Sequence, residues 1–175
     1  GAGKSTLMKC LYGMHPPEKG VFYLGDRPLS IRSPRDAMKE GIGMVHQHFM
    51  LVPSGTVAEN VVLGDEPRRG WRFDGPRASR EVAELSRRFG LEVEPDMPVY
   101  ALPVGLQQRV EILKLLYRKA STLIFDEPTA VLSPGEVASL FEILRDFRRK
   151  GKTVIFIAHN LEEVLAISDV ISVTR

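Results

Sequence analysis

Short apolar runs alternate along the chain with segments of helical spacing. Residues 122–125 (TLIF) and 153–158 (TVIFIA) are nearly continuous in apolar side chains, the pattern of parallel strands buried on both faces. Residues 21–25 (VFYLG) and 42–46 (IGMVH) read as shorter strands bounded by glycine, and 169–173 (DVISV) as one more. Helical periodicity occupies 5–12, 79–89, 107–118, 135–149 and 161–167. Strands alternating with helices predict an α/β fold with a mainly parallel sheet and flanking helices. Residues 55–118 break the alternation. They are mainly helical around a loop-rich stretch, GDEPRRGWRFDGP at 64–76, expected to fold back on the surface. This gives one domain in two parts, a sheet core from 1–54 and 119–175 and a helical subdomain over 55–118.

Composition narrows the function classes. The 175 residues carry 24 basic and 22 acidic side chains, a net charge of +2, so no bulk electrostatic argument supports a nucleic-acid partner. The basic clusters Arg68–Arg69–Arg72 and Arg145–Arg148–Arg149–Lys150 read as solvated faces, the second beside Glu142 and Asp146. One cysteine, Cys10, excludes an internal disulfide and a multi-cysteine zinc site. No run approaches the roughly 20 apolar residues that a membrane-spanning helix needs.

Candidate chemistry begins at the first residues, GAGKST. Glycines let backbone N–H groups approach phosphate oxygens, and the following helix turns its N-terminal dipole towards the anion. Gly1, Ala2, Gly3, Lys4, Ser5 and Thr6 are thus the candidate nucleotide-binding loop, Lys4 for the β- and γ-phosphates and Ser5 for Mg²⁺. The apolar run of LIFDEP ends in Asp126 and Glu127. At the end of a buried strand Asp126 is placed to hold Mg²⁺, and Glu127 to act as general base towards water. Two acids closing a strand are common by themselves. Together with GAGKST, in this order, they read as a P-loop nucleoside triphosphatase.

The order of further stretches resembles the nucleotide-binding domain of ATP-binding cassette (ABC) transporters. Gln47 in VHQHF is similar to that family's Q-loop glutamine, which implies contact with Mg²⁺ or the lytic water and movement with a transmembrane partner. LPVGLQQR at 102–109 stands where the LSGGQxQR signature belongs, so Pro103, Val104, Gly105 and Gln107 would face ATP bound by a second cassette. TAVLS at 129–133 resembles the D-loop, and His159 in FIAHN the H-loop histidine that contacts the γ-phosphate. The resemblance implies ATP and Mg²⁺ as cofactors, with Glu127, His159 and Gln47 as the catalytic set and Ser5, Gln47 and Asp126 around the metal.

Two departures stand out. The signature serine is Pro103, with neither hydroxyl nor N–H, followed by Val104 and, at the usual glutamine, Leu106; the D-loop aspartate position is Ser133. The wording of VHQHFMLVPSGTVAENVVLG, VGLQQRVEILKLLYR and DEPTAVLSP resembles bacterial sugar and nucleoside importer ATPases. Within that group it is closer to the first cassette of a fused pair, and closer to the nucleoside branch. That implies a second cassette in the same parent chain, permease subunits, an indirectly associated solute-binding protein, and a peripheral place on the cytoplasmic face of the inner membrane. Two rival readings are a soluble, translation-factor-like cassette and a degenerate cassette that binds ATP without efficient turnover. The missing start of the phosphate-loop pattern and of the strand feeding it implies a chain truncated at both ends. The 175 residues alone are then expected to fold poorly and to show no ATPase activity.

Overall fold

A computed structural model of the chain describes residues 3–174. Its centre is a parallel sheet of β3 (Ile42–Val45), β6 (Thr122–Asp126) and β7 (Thr153–Ile157), with β6 in the middle. Val45 is in register with Phe125, and Asp126 with Ile157, so all three strands end together at one edge.

The apolar runs supply two cores because alternate strand residues face opposite sides. Ile42, Met44, Ile124 and Ile155 point to one face, where α1 (Lys4–Leu11) brings Met8 and Leu11. Val45, Leu123, Phe125, Val154 and Phe156 point to the other. They meet α5 (Val104–Tyr117) and α6 (Pro134–Arg149) in a cluster that continues into α3 (Val57–Val62) and α4 (Gly75–Phe89). Gly43 lets α5 approach β3: an added Cβ would stand 2.9 Å from a Leu115 methyl carbon.

The remaining elements are small. β1 (Phe22–Leu24) and β2 (Arg27–Leu29) pair antiparallel, and α2 (Pro34–Lys39) starts on Ser33, whose hydroxyl accepts from the Asp36 N–H. Between α3 and α4 the chain makes a hairpin of β4 (Arg68–Arg69) and β5 (Arg72–Phe73). A 3₁₀ turn, Val99–Ala101, precedes α5, and α7 (Leu161–Ile167) follows β7. The cluster 145–150 is paired as its sequence suggests, Arg145 with Glu142 and Lys150 with Asp146, the latter at 2.5 Å.

Several boundaries differ from the sequence reading. The stretch 169–173 is not a strand: it has no ladder partner among the described residues, and Val170 and Val173 are both 84% exposed. Alternation alone does not make a strand without an edge to receive it. Helix α4 starts at Gly75 rather than residue 79, because Asp74 caps it by accepting from the Arg77 N–H and Pro76 suits a first turn. Helix α5 starts at Val104 rather than Gln107, immediately after Pro103.

Helix α3 carries a complete capping box, with Thr56 accepting from the Glu59 N–H at 3.1 Å and Glu59 accepting from the Thr56 N–H at 2.8 Å. Thr56→Ala is expected to cost about 1 kcal/mol of stability. A urea midpoint shift in the full-length protein checks it.

Candidate functional site at the carboxyl edge of the sheet

Parallel strands deliver the side chains that follow their carboxyl ends to one crevice, the usual ligand position in open α/β sheets. Here β3 leads to His46 and Gln47, β6 ends in Asp126 and leads to Glu127, and β7 leads to His159. Helix α1 begins beside the same edge. Gly3 caps it at φ 72°, a left-handed conformation that a side chain would strain. Gly1 and Ala2 lie outside the described residues.

Ser5 ties α1 to β6, its Oγ donating to Asp126 Oδ1 at 2.8 Å across 121 positions of sequence. Asp126 is only 4% exposed, so a hydroxyl and a buried carboxylate converge at the first turn of α1. Lys4 sits in the same turn and makes no ion pair with a described residue. Among the described residues no three His, Cys, Asp or Glu side chains cluster as a metal cage. The Ser5–Asp126 pair does suit Mg²⁺, a hard ion that takes few protein oxygens and fills its other positions with water and phosphate.

Glu127 is the junction of the site. It adopts φ 51°, rare for a residue with a side chain, and its N–H donates to the Ile157 carbonyl at 3.0 Å. One carboxylate oxygen lies 2.5 Å from His159 Nε2; the other accepts from Gln47 Nε2 at 3.5 Å. Residues from all three strand ends therefore meet on one carboxylate. His46 stacks edge-on against Tyr12, which caps the end of α1, and burial lowers its pKa, favouring the neutral ring.

The signature-like segment lies at the start of α5. Pro103 caps the helix without a side-chain hydrogen bond. The Gly105 N–H donates to Glu136 Oε1 at 3.2 Å, so a carboxylate from α6 covers this helix end. Gln107 is half-buried and bonds back to its own segment, its N–H donating to the Pro103 carbonyl at 3.0 Å and its Nε2 to the Leu102 carbonyl at 2.9 Å. Thr6 and Val104 are exposed.

Three residues at this edge escaped the sequence reading. Gln108, buried, donates to the Pro128 carbonyl at 2.9 Å and joins α5 to the segment after β6. Glu163 of α7 accepts from the Thr129 hydroxyl at 2.7 Å. Glu136 closes a capping box on Ser133 while reaching Gly105. The S-P-G-E spacing signals that cap, but nothing local signals the reach to α5.

A family model described as "ABC transporter" matches residues 1–130. The chain belongs to that family. Over its whole length it is 50% identical to the nucleoside import ATP-binding protein NupA of Lactococcus lactis subsp. cremoris, and covers 35% of that protein. It is 46% identical to the glucose import ATP-binding protein TsgD13 of Haloferax volcanii, again over the whole chain and 37% of the relative. The chain thus spans little more than a third of these curated relatives. Among solved structures, cbiO1 from Clostridium perfringens, part of the ABC transporter complex cbiONQ, superposes with a TM-score of 0.75 at 30% identity. The match covers 95% of this chain and 66% of that one. The fold expected from the alternating pattern is therefore that of an ABC-family P-loop domain. No helix among the described residues is long and apolar enough to cross a membrane.

Proposed function

We propose that this ABC-family chain binds and hydrolyses ATP as the motor of an importer for a nucleoside or sugar. The observation that carries the reading is the convergence of Gln47 and His159 on Glu127, beside the Ser5–Asp126 pair at the start of α1. Gly3, Lys4 and Thr6, together with Gly1 and Ala2 outside the described residues, are assigned to binding the phosphates, with the charge of Lys4 for the β- and γ-phosphates. Ser5, Asp126 and Gln47 would hold Mg²⁺, which when bound would offset phosphate charge. Glu127 takes the proton of the attacking water, while Gln47 and His159 fix its two oxygens so that one lone pair faces that water.

Residues 1–54 and 119–175 form the catalytic core in this reading, and 55–118 a helical subdomain that presents Pro103, Val104, Gly105 and Gln107 to a second cassette. The names of the relatives support the rest: a peripheral protein on the cytoplasmic side of a membrane, working with permease subunits, a fused second cassette and, indirectly, a solute-binding protein. NupA favours a nucleoside and TsgD13 a sugar; the higher identity to NupA favours the nucleoside.

Uptake tests it. Cells in which Lys4→Ala replaces the chromosomal residue are expected to lose accumulation of labelled nucleosides and to keep that of ribose and glucose. Loss of sugar uptake alone would move the cargo to the sugar branch, and unchanged uptake of both would reject the importer reading.

A further inference from the structure

Gln47 is exposed and lies beyond the end of β3, so the strand alone does not fix it. The loop on its C-terminal side is fastened at two residues. The Met50 N–H donates to Glu111 Oε1 at 2.6 Å, and the Met50 carbonyl accepts from Lys114 Nζ at 2.8 Å. Both side chains belong to α5. They also pair with each other at 3.4 Å, and Glu111 is only 4% exposed. Further along, the buried Asn60 of α3 accepts from the Val52 N–H at 2.7 Å and donates to the Val52 carbonyl at 3.0 Å. Side chains thus take both backbone groups of Met50 and of Val52, as a neighbouring strand would. Met50 as a whole is 63% exposed, so packing does not hold this residue.

We propose that the Glu111–Lys114 pair is a positioning clamp that sets the reach of Gln47 to Glu127 by fastening the loop to the helix that starts at the signature segment. The inference rests on the role given to Gln47 above. Only His48 and Phe49 separate Gln47 from the clamped residue. A shift of α5 therefore pulls on Gln47 directly, whereas Glu127, one residue past β6, is held by its own N–H bond to the Ile157 carbonyl at 3.0 Å. A neutral, single-ended contact would not do this. The buried carboxylate takes the N–H, the ammonium takes the carbonyl, and each charge answers the other, so the loop segment has one seating rather than several.

The test uses the full-length protein carrying Lys114→Met, Lys114→Arg and the neutral pair Glu111→Gln/Lys114→Met, the last avoiding a buried unpaired carboxylate. Hydrogen exchange of the peptide spanning 48–52 is read beside that of β6. Loss of the clamp is expected to speed exchange at 48–52 by about 10-fold or more while β6 stays protected. ATP turnover is expected to fall about 10-fold, since small misplacements near the reacting atoms are costly, and Lys114→Arg to restore most of it. In a Gln47→Ala background the clamp variants are expected to cause no further loss. Unchanged exchange at 48–52, or the same fold-loss with and without Gln47, would overturn the clamp. If Gln47→Ala alone leaves turnover intact, the catalytic role of Gln47 fails and the proposed positioning of it falls too, while faster exchange at 48–52 would still establish the fastening itself.

Discussion

Glu127→Gln is expected to slow ATP hydrolysis at this site by about 10²-fold or more and to leave ATP bound. Glutamine keeps nearly the same shape and can still accept a hydrogen bond, so the cradle around α1 and the Ser5–Asp126 contact at 2.8 Å are untouched. What it loses is the ability to take a proton. Lys4→Ala should behave differently. Its ammonium offsets phosphate charge in the ground state and in the transition state, so its loss weakens binding and turnover together. Photolabelling with a radioactive azido-ATP, with the label located on the α1 peptide, separates the two outcomes. Equal loss of labelling in both variants would contradict the roles assigned to them.

The second large effect concerns Pro103. In the proposed assembly this segment completes the nucleotide site of the opposite cassette, and the residue offers that phosphate no donor. A hydrogen bond to a charged group contributes roughly 1.5–3 kcal/mol, or about 10- to 150-fold in rate when it is made in the transition state. Pro103→Ser, placed in a Glu127→Gln background so that only the opposite site turns over, is therefore expected to raise the remaining ATPase. Glu136 opposes this gain, since its carboxylate already holds the Gly105 N–H at 3.2 Å and would repel an incoming phosphate. Adding Glu136→Gln should raise the rate further. Serine would also cap α5, adding about 1 kcal/mol of stability, so a melting curve must accompany the rate. Unchanged ATPase in both variants would show that the two sites do not differ through this segment.

The parts of the molecule that were legible in the sequence are those set by local pattern. The runs at 122–125 and 153–158 became the adjacent parallel strands β6 and β7, and β6, in the middle of the sheet, is buried as a continuous apolar run demands. The ends of those strands place His159 Nε2 2.5 Å from Glu127, next to Asp126 in the chain. Local pattern failed where a partner decides the outcome. The alternation at 169–173 met no sheet edge among the described residues and stayed exposed. The hairpin of β4 and β5 carries arginines and an 81% exposed Trp71 instead of an apolar face, so its sequence reads as loop. Contacts such as Gly105 to Glu136 and Met50 to Glu111 join residues 31 and 61 positions apart, and no spacing rule encodes them.

The three-strand convergence on Glu127 is the centre of the account, and single-turnover phosphate release tests it most directly. Full-length protein is loaded with trace radiolabelled ATP and quenched over time, with Glu127→Gln, His159→Ala and the double variant in parallel. Because the three groups act as one unit around the carboxylate, the double variant should release phosphate no more slowly than Glu127→Gln, and both about 10²-fold or more below the unsubstituted protein once release by the opposite cassette is subtracted. Phosphate release from Glu127→Gln at the unsubstituted rate would contradict it.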